Sequence, residues 1–96
     1  MLRFDSYVLL DSDYDKPLKS IGEGEIVITY GLNSKSTITV SSITEDEITL
    51  CVQREFKNIN DKKVIPQEIP MSIKEKNSNI SEILCEAALS LILERF

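Results

Sequence analysis

Hydrophobic and polar residues alternate through most of the first half of the chain, as they do in strands that bury one face. In the first such stretch, Leu2, Phe4, Val8 and Leu10 share one parity. Three later stretches repeat this period of two and are rich in β-branched residues, which favour strands. The pattern predicts strands at about residues 2–10, 25–31, 36–43 and 47–56.

The connections between the last three predicted strands are short and polar. Residues 31–34 and 44–46 fit tight turns, which join neighbouring strands in antiparallel order. The connection between the first two strands, residues 11–24, is longer and contains Pro17. The sequence therefore predicts that the sheet is an antiparallel meander.

A further extended segment, residues 62–73, carries Pro66 and Pro70. Because proline has no N–H to donate to a neighbouring strand, this segment is expected at the edge of the sheet or as an arm folded over the helix. The sequence leaves both arrangements open.

The last part of the chain changes to helical spacing and predicts a helix over residues 80–95. Asn79 is the expected N-cap, with Glu82 three residues later. Glu82, Glu86 and Glu94 share one polar stripe. Apolar residues cover roughly 240° of the circumference, whereas a helix that lies on a sheet needs an apolar stripe of only about 100°.

The surplus apolar flank of this helix has two candidate partners. One is the segment of residues 62–73, and the other is a second copy of the chain, as in a homodimer. The flank expected to form such an oligomer interface consists of Leu89, Leu93 and Phe96.

Together these elements predict one α+β domain over residues 1–96. Its expected architecture is an antiparallel four- to five-stranded β-meander with one C-terminal helix packed on one face. The face under the helix is expected to contain Phe4, Val8, Ile26, Ile28, Tyr30, Ile38, Val40, Ile48, Leu50 and Val52.

Composition limits the class of protein further. The chain has 96 residues, 42% of them hydrophobic and 28% charged, which is typical of one folded domain. The apolar run at the N-terminus is interrupted by Asp5 and is too short for a secretory signal, and no stretch is long enough to span a bilayer. Cys51 and Cys85 are therefore expected as reduced core thiols, and the protein as cytoplasmic. The abundance of Ile, Lys and Asn favours a bacterial or phage origin.

The net charge of −5 is unevenly distributed, since most acids lie in the first half of the chain. In an antiparallel meander, three acidic stretches would meet at the same end of the sheet. This predicted acidic rim consists of Asp11, Asp13, Asp15, Glu23, Glu25, Glu45, Asp46 and Glu47.

Three interpretations of the acidic rim compete. Its carboxylates are solvated loop charges, or a contact surface for a basic protein, or a site for a divalent cation. The alternating acids of residues 11–15 are typical of a calcium loop, but Lys16 stands where that loop needs glycine and Gly22 where it needs glutamate. No metal is therefore expected.

Catalysis has little support in the sequence. The chain has no histidine, which excludes histidine-dependent triads and leaves Cys51 without a base. The carboxylates fall on predicted loops and solvent-facing stripes, where burial does not tune their pKa values. No catalytic residue and no cofactor is expected, and the protein is predicted not to be an enzyme.

Direct contact with nucleic acid or a membrane is also not expected. The basic cluster of Lys57, Lys62 and Lys63 is small in a chain of negative net charge. The polar stripe of the helix is glutamate, which anionic headgroups repel.

The remaining hypotheses both involve protein partners. The first is a small acidic interaction module, an inhibitor or regulator that docks a basic, nucleic-acid-binding partner through its acidic rim. Such a module would imitate the phosphates of a nucleic acid. The second is a homo-oligomeric structural or chaperone-like subunit that assembles through the apolar flank of the helix.

Overall fold

The computed structural model describes residues 1–15, 22–73 and 79–95. Residues 74–78, which connect the predicted extended segment to the predicted helix, and Phe96 of the predicted helix flank lie outside the described residues. The described strands and helix are β1 (Leu2–Phe4), β2 (Tyr7–Asp11), β3 (Ile26–Tyr30), β4 (Ile38–Ile43), β5 (Glu47–Val52), β6 (Phe56–Lys57), β7 (Lys63–Val64), β8 (Gln67–Ser72) and α1 (Ile80–Ile92).

Six of these strands form one sheet in the order β1-β2-β3-β4-β5-β8, and β6 pairs with β7 in a separate hairpin. Three of the five strand pairings in the large sheet are antiparallel. The predicted α+β class, with a mostly antiparallel sheet and one helix, is therefore confirmed. The sheet has one strand more than the widest prediction, and its order differs in two places.

The first difference is a hairpin within residues 2–10, which were predicted as one strand. The chain reverses at Asp5 and Ser6, where Asp5 has a φ of +54°, and Phe4 pairs directly with Tyr7. Positive φ is typical of two-residue hairpin turns, although such turns usually contain glycine or asparagine. The turn shifts the parity of β2, so that Tyr7 and Leu9 lie in the core under the helix. Val8, which was predicted on that face, lies on the opposite one.

The second difference is that β2, β3 and β4 run parallel. Tyr7 pairs with Ile26 and Asp11 pairs with Tyr30, so β2 and β3 run in the same direction. The connection between them is long enough for the chain to return to the starting end, as a parallel pair requires. After β3 the chain shifts sideways without reversing, and β4 pairs in parallel with β3 through the single pair of Tyr30 and Ile38. The prediction that β3, β4 and β5 form an antiparallel meander is therefore wrong for the pairing of β3 with β4.

Because β3 and β4 overlap at one pair only, β4 continues beyond the end of β3. Its remaining five residues extend for about 17 Å at a rise of about 3.3 Å per residue. Along this length β4 pairs with β5, and β5 pairs with β8, both in antiparallel order. We call β4, β5 and β8 the three-stranded extension. Within it, β8 lies at the edge of the sheet, which is one of the two arrangements that the sequence left open for residues 62–73.

The helix α1 packs on one face of the sheet across β2, β3 and β4. Its buried residues Leu84, Ala88 and Ile92 join the core that also contains Leu9 and Ile28. Burial of these side chains stabilises the fold, at about 25 cal/mol per Å² of apolar surface removed from water.

Both ends of α1 are fixed by specific contacts. The predicted N-cap is confirmed, since Asn79 Oδ1 accepts a hydrogen bond from the Glu82 amide at 2.8 Å. At the other end the helix stops at Ile92, three residues earlier than predicted, and Glu94 adopts a φ of +57°. The β6–β7 hairpin covers this end, where the Ile59 amide donates to the Ile92 carbonyl at 2.8 Å.

Candidate protein-docking surface

The structure does not bring the predicted acidic rim together on one edge. Asp11 lies beside Tyr30 at the end of β3, whereas Glu25 precedes Ile26 at its start. These ends are four residues apart, or about 13 Å at the rise of a strand. Residues 45 and 46, in the turn between β4 and β5, and Glu47, at the start of β5, lie at the far end of the three-stranded extension, beyond both. The parallel direction of β2, β3 and β4 separates the acids into three groups, and their predicted role in binding a partner stays a prediction.

The first group, Asp11, Asp13 and Asp15, is used inside the fold. Asp11 is only 8% exposed, and its Oδ1 accepts a hydrogen bond from the Asp13 amide at 3.0 Å. Its Oδ2 accepts from the Ser81 hydroxyl, which ties the end of β2 to the first turn of α1. Asp13 Oδ2 accepts from the Leu32 amide at 2.8 Å, and Asp15 Oδ2 accepts from the Asp11 amide at 2.9 Å. These carboxylates accept hydrogen bonds from backbone N–H groups and so already have partners within the chain.

Close packing against Gly31 explains the spacing of these acids. A Cβ atom at Gly31 would lie 2.6 Å from Ser12 Oγ and 2.7 Å from Asp13 Oδ2, so a larger residue does not fit. The Ser12 hydroxyl also donates to the Tyr30 carbonyl at 3.1 Å. The alternating acids of residues 11–15, which are typical of a calcium loop, therefore form hydrogen bonds that hold this loop together. Among the described residues, no group of three or more acids and cysteines is arranged to hold a metal ion.

The second group lies at the start of β3. Glu25 forms an ion pair with Arg3 through Oε2, and its Oε1 accepts from the Gly22 amide at 2.8 Å. Glu23 is exposed. One of these two carboxylates is thus already engaged within the chain.

The third group, Glu45, Asp46 and Glu47, is different. All three are exposed, and within residues 1–15, 22–73 and 79–95 no ion pair or hydrogen bond involves their carboxylates. We call these three residues the acidic tip. They are the predicted rim acids that most clearly present free charge.

The backbone of the acidic tip is held firmly. The Thr44 amide donates to the Glu47 carbonyl at 2.8 Å, and the Glu47 amide donates to Thr44 Oγ1 at 3.1 Å. The Ile73 amide, just beyond β8, donates to the Asp46 carbonyl at 2.9 Å. Three carboxylates are therefore displayed on a fixed turn, and a partner would not have to order that turn on binding.

The basic side chains of the β6–β7 hairpin are paired with acids. The ion pairs are Lys57 with Asp61 at 3.5 Å, Lys62 with Glu94 at 3.1 Å and Lys63 with Glu55 at 3.5 Å. Hydrogen bonds from Asn60 and Lys62 lower the pKa of Glu94. The predicted basic cluster is thus locally neutralised, in contrast to the acidic tip.

The predicted oligomer flank is partly covered within one chain. Leu89 is half-buried and packs against the core, and Leu93 is half-buried as well. Neither is among the strongly exposed large hydrophobic residues of the described chain. The role of this flank in self-association stays a prediction.

Displaced pKa values do not point to acid–base chemistry. The pKa of Asp15 is lowered by hydrogen bonds from the Met1 amine and the Asp11 amide, and that of Glu94 is lowered as described above. A general acid at neutral pH needs the opposite shift. Burial, and then a hydrogen bond with Cys85, raise the pKa of Tyr30, which keeps this phenol protonated. Cys51 and Cys85 are free thiols and half-buried.

Sequence reasoning missed one further feature, a cavity of about 360 Å³ beside the edge strand β8 on the helix face. It is lined by Lys62, Val64, Gln67, Ile69, Leu91 and Glu94. Its walls come from residues 58–69 and from the C-terminal part of α1, which are distant in sequence, so the only available signal was Pro70, which marked β8 as an edge.

A second cavity, of about 470 Å³, lies at the N-terminal end of α1. Its lining includes Asp13, Tyr14, Leu32, Asn79, Ser81 and Leu84. The Tyr14 side chain at its rim is 82% exposed. The polar side chains Asp13, Asn79 and Ser81 are each engaged in hydrogen bonds within the chain, so this cavity shows no unpartnered group that would select a ligand.

Comparison of the chain with protein-family models, with curated proteins and with solved structures finds no match. In the described part of the chain, no helix combines the length and the apolar character needed to cross a lipid bilayer.

Proposed function

We propose that the protein is a small acidic interaction module that docks a basic surface of a partner protein through the acidic tip. The proposal is carried by one observation: Glu45, Asp46 and Glu47 are exposed and unpaired in the described structure, whereas every acid of the other two groups except Glu23 has an internal partner. Engaging the acidic tip therefore breaks no side-chain contact found among residues 1–15, 22–73 and 79–95.

Electrostatics favours this mode of docking. Exposed charges attract an oppositely charged surface over about 8 Å at physiological ionic strength, which raises association rates. The acidic tip lies at the far end of the three-stranded extension, where a partner approaches it without contacting α1. Three adjacent carboxylates match the charge of nucleic-acid phosphates, so the proposed partner is a basic, nucleic-acid-binding protein. The module would inhibit or regulate that protein, in a bacterium or a phage.

A charge-matched pair of variants tests this proposal. The tip variant carries Glu45→Lys, Asp46→Lys and Glu47→Lys. The control variant carries Glu23→Lys, Glu82→Lys and Glu86→Lys at three other exposed acids, so that both variants have the same net charge. The probe is a fluorescent nona-arginine peptide, and the readout is its anisotropy between 20 mM and 300 mM salt.

We expect the control variant to bind the peptide within about threefold of the wild type, and the tip variant to bind at least about tenfold more weakly at low salt. The difference should shrink at high salt, where exposed charges are screened. Equal weakening of both variants would mean that the peptide reads only net charge, which overturns the proposal. Circular dichroism and urea denaturation establish that both variants keep the fold.

A further inference from the structure

One side of β8 is an open strand edge. Residues 67–72 pair with β5 along their whole length, and β8 is the last strand of the sheet among the described residues. The backbone groups on its outer side therefore have no strand partner there. Such an edge is a template on which another extended segment can pair.

The direction of each backbone group follows from one hydrogen bond. The Ile73 amide donates to the Asp46 carbonyl, so residue 73 faces β5. Backbone groups alternate in direction along a strand, which places Met71 and Ile69 towards β5 and leaves Ser72, Pro70 and Glu68 facing outwards. The outer edge thus offers the carbonyls of these three residues and the amides of Glu68 and Ser72.

This geometry also explains why a proline is tolerated within β8. The missing N–H of Pro70 lies on the outer side, so no hydrogen bond to β5 is lost. The edge keeps two donors and three acceptors, which is enough to pair with an added strand.

The two faces of β8 differ in chemistry. Ile69 and Met71 are half-buried on the face under the helix, where they pack against the core. Glu68 is exposed on the other face, and Glu47 lies on that same face because it pairs with Ser72. A strand added to this edge would therefore have apolar neighbours on one face and carboxylates on the other.

The cavity of about 360 Å³ adds a second, independent feature. It lies beside β8 on the helix face, and its lining includes the apolar side chains of Val64, Ile69 and Leu91 as well as the charged side chains of Lys62, Lys63 and Glu94. An apolar side chain that an added strand directs towards the helix face next to Ile69 would enter it. In strand addition, such pockets for alternate side chains supply the specificity.

We propose that β8 accepts an extended segment of the protein partner as a seventh strand of the sheet. Its apolar side chains alternate towards the helix face, with one in the cavity, and its basic side chains face Glu68 and Glu47. This inference rests on the proposed function in one respect, the positive charge of the partner. It depends on the backbone of β8, however, which the tip variant leaves unchanged, and of the acidic tip it involves only Glu47.

Charge favours a basic partner over a second copy of the chain. A second β8 on the same edge would bring its own Glu68 and Glu47 to the acidic face, within a chain whose net charge is also −5. Like charges on adjacent strands are destabilising. A segment that alternates apolar and basic residues meets no such repulsion.

Amide hydrogen exchange by NMR, with an eight-residue peptide of alternating valine and arginine as the probe, tests the inference on the intact chain. We expect the amides of Glu68 and Ser72 to exchange at least about tenfold more slowly at saturating peptide, since they gain hydrogen bonds. The amides of Ile69 and Met71, already bonded to β5, should not change. A control peptide methylated at every backbone nitrogen keeps its charge but cannot pair, and should protect neither amide.

A matched pair of variants separates this inference from the proposed function. Ser72→Pro removes one outward donor, and Ser72→Ala keeps it. We expect the peptide Kd to rise about three- to tenfold for Ser72→Pro relative to Ser72→Ala. Equal Kd values, or binding without protection of Glu68 and Ser72, overturn strand addition and leave the acidic tip untouched. If only the tip variant weakens peptide binding, the proposed function stands and strand addition is overturned. If the amides of Glu68 and Ser72 become protected without peptide as the protein concentration rises, the added strand comes from a second copy of the chain, which overturns the choice of a partner protein.

Discussion

Replacing Asp11 should destabilise the fold, whereas replacing an acid of the acidic tip should not. Asp11 is 8% exposed and accepts hydrogen bonds from the Asp13 amide and the Ser81 hydroxyl. Asp46 is exposed, and no interaction of its carboxylate is found in the described residues. The substitutions Asp11→Ala and Asp46→Ala therefore remove the same charge from opposite environments.

The expected loss follows from the two hydrogen bonds. Each bond to a charged group contributes about 1.5–3 kcal/mol, and water that enters the vacated space recovers part of the sum. We expect Asp11→Ala to lower the free energy of unfolding by about 2–4 kcal/mol. Ser81→Ala removes one of the two bonds and should cost about half as much. Asp46→Ala should stay within about 0.5 kcal/mol of the wild type, as is usual for an exposed site.

Urea denaturation followed by circular dichroism measures these differences. With a slope of about 1 kcal/mol/M for a domain of this size, Asp11→Ala should lower the urea midpoint by about 2 M or more. The slope itself should not change. A midpoint for Asp11→Ala within about 0.5 M of the wild type would refute the assignment of this carboxylate to the interior of the fold.

Three further predictions follow from single contacts. The hydroxyl of Tyr7 donates to the Lys57 carbonyl at 2.7 Å, so Tyr7→Phe should lower the free energy of unfolding by about 1 kcal/mol in urea denaturation, and an unchanged value would contradict this contact. The pKa of Glu94 is lowered in the folded state, so its contribution to stability is present above the usual value of 4.5 and is lost as the pH falls below it. Stability measured between pH 6 and pH 3 should therefore fall less steeply for Glu94→Gln than for the wild type, and identical slopes would contradict the shift. If the helix flank mediates self-association, Leu93→Glu should convert an oligomer to a monomer in light scattering; a wild type that is already monomeric at high concentration removes that hypothesis.

Periodicity predicted strands such as β3 and β5, because burial alternates along them, whereas β2 is buried at every position and β1 is exposed. It also predicted the helix and its Asn79 cap, which depend on local spacing. Periodicity did not predict the turn at Asp5 and Ser6, since the glycine that usually follows Asp in a two-residue hairpin turn is replaced by serine. That turn inverts the parity of β2, which is why Val8 was placed on the wrong face.

Strand direction could not be derived from the connections alone. The short, polar stretch after Tyr30 is typical of a hairpin, but it carries the chain sideways into a parallel pairing at Ile38. The composition of a loop predicts that a strand ends there. The direction of the next strand depends on how the whole sheet packs. The predicted acidic rim required β2, β3 and β4 to be antiparallel. Because these strands run parallel, the acids lie in three separate groups.

The stagger between β3 and β4 separates carboxylates that stabilise the fold from carboxylates that have no contact within it among the described residues. In the part of the sheet under α1, Asp11 and Asp13 satisfy backbone amides, and their replacement costs stability. In the three-stranded extension, the carboxylates of the acidic tip and Glu68 accept no hydrogen bond among the described contacts. The outward backbone groups of β8 have no strand partner there either. A surface can change its binding without unfolding the protein only if its groups are not needed for stability. On that physical ground we propose that a partner is recognised by the extension and not by the segment around Asp11.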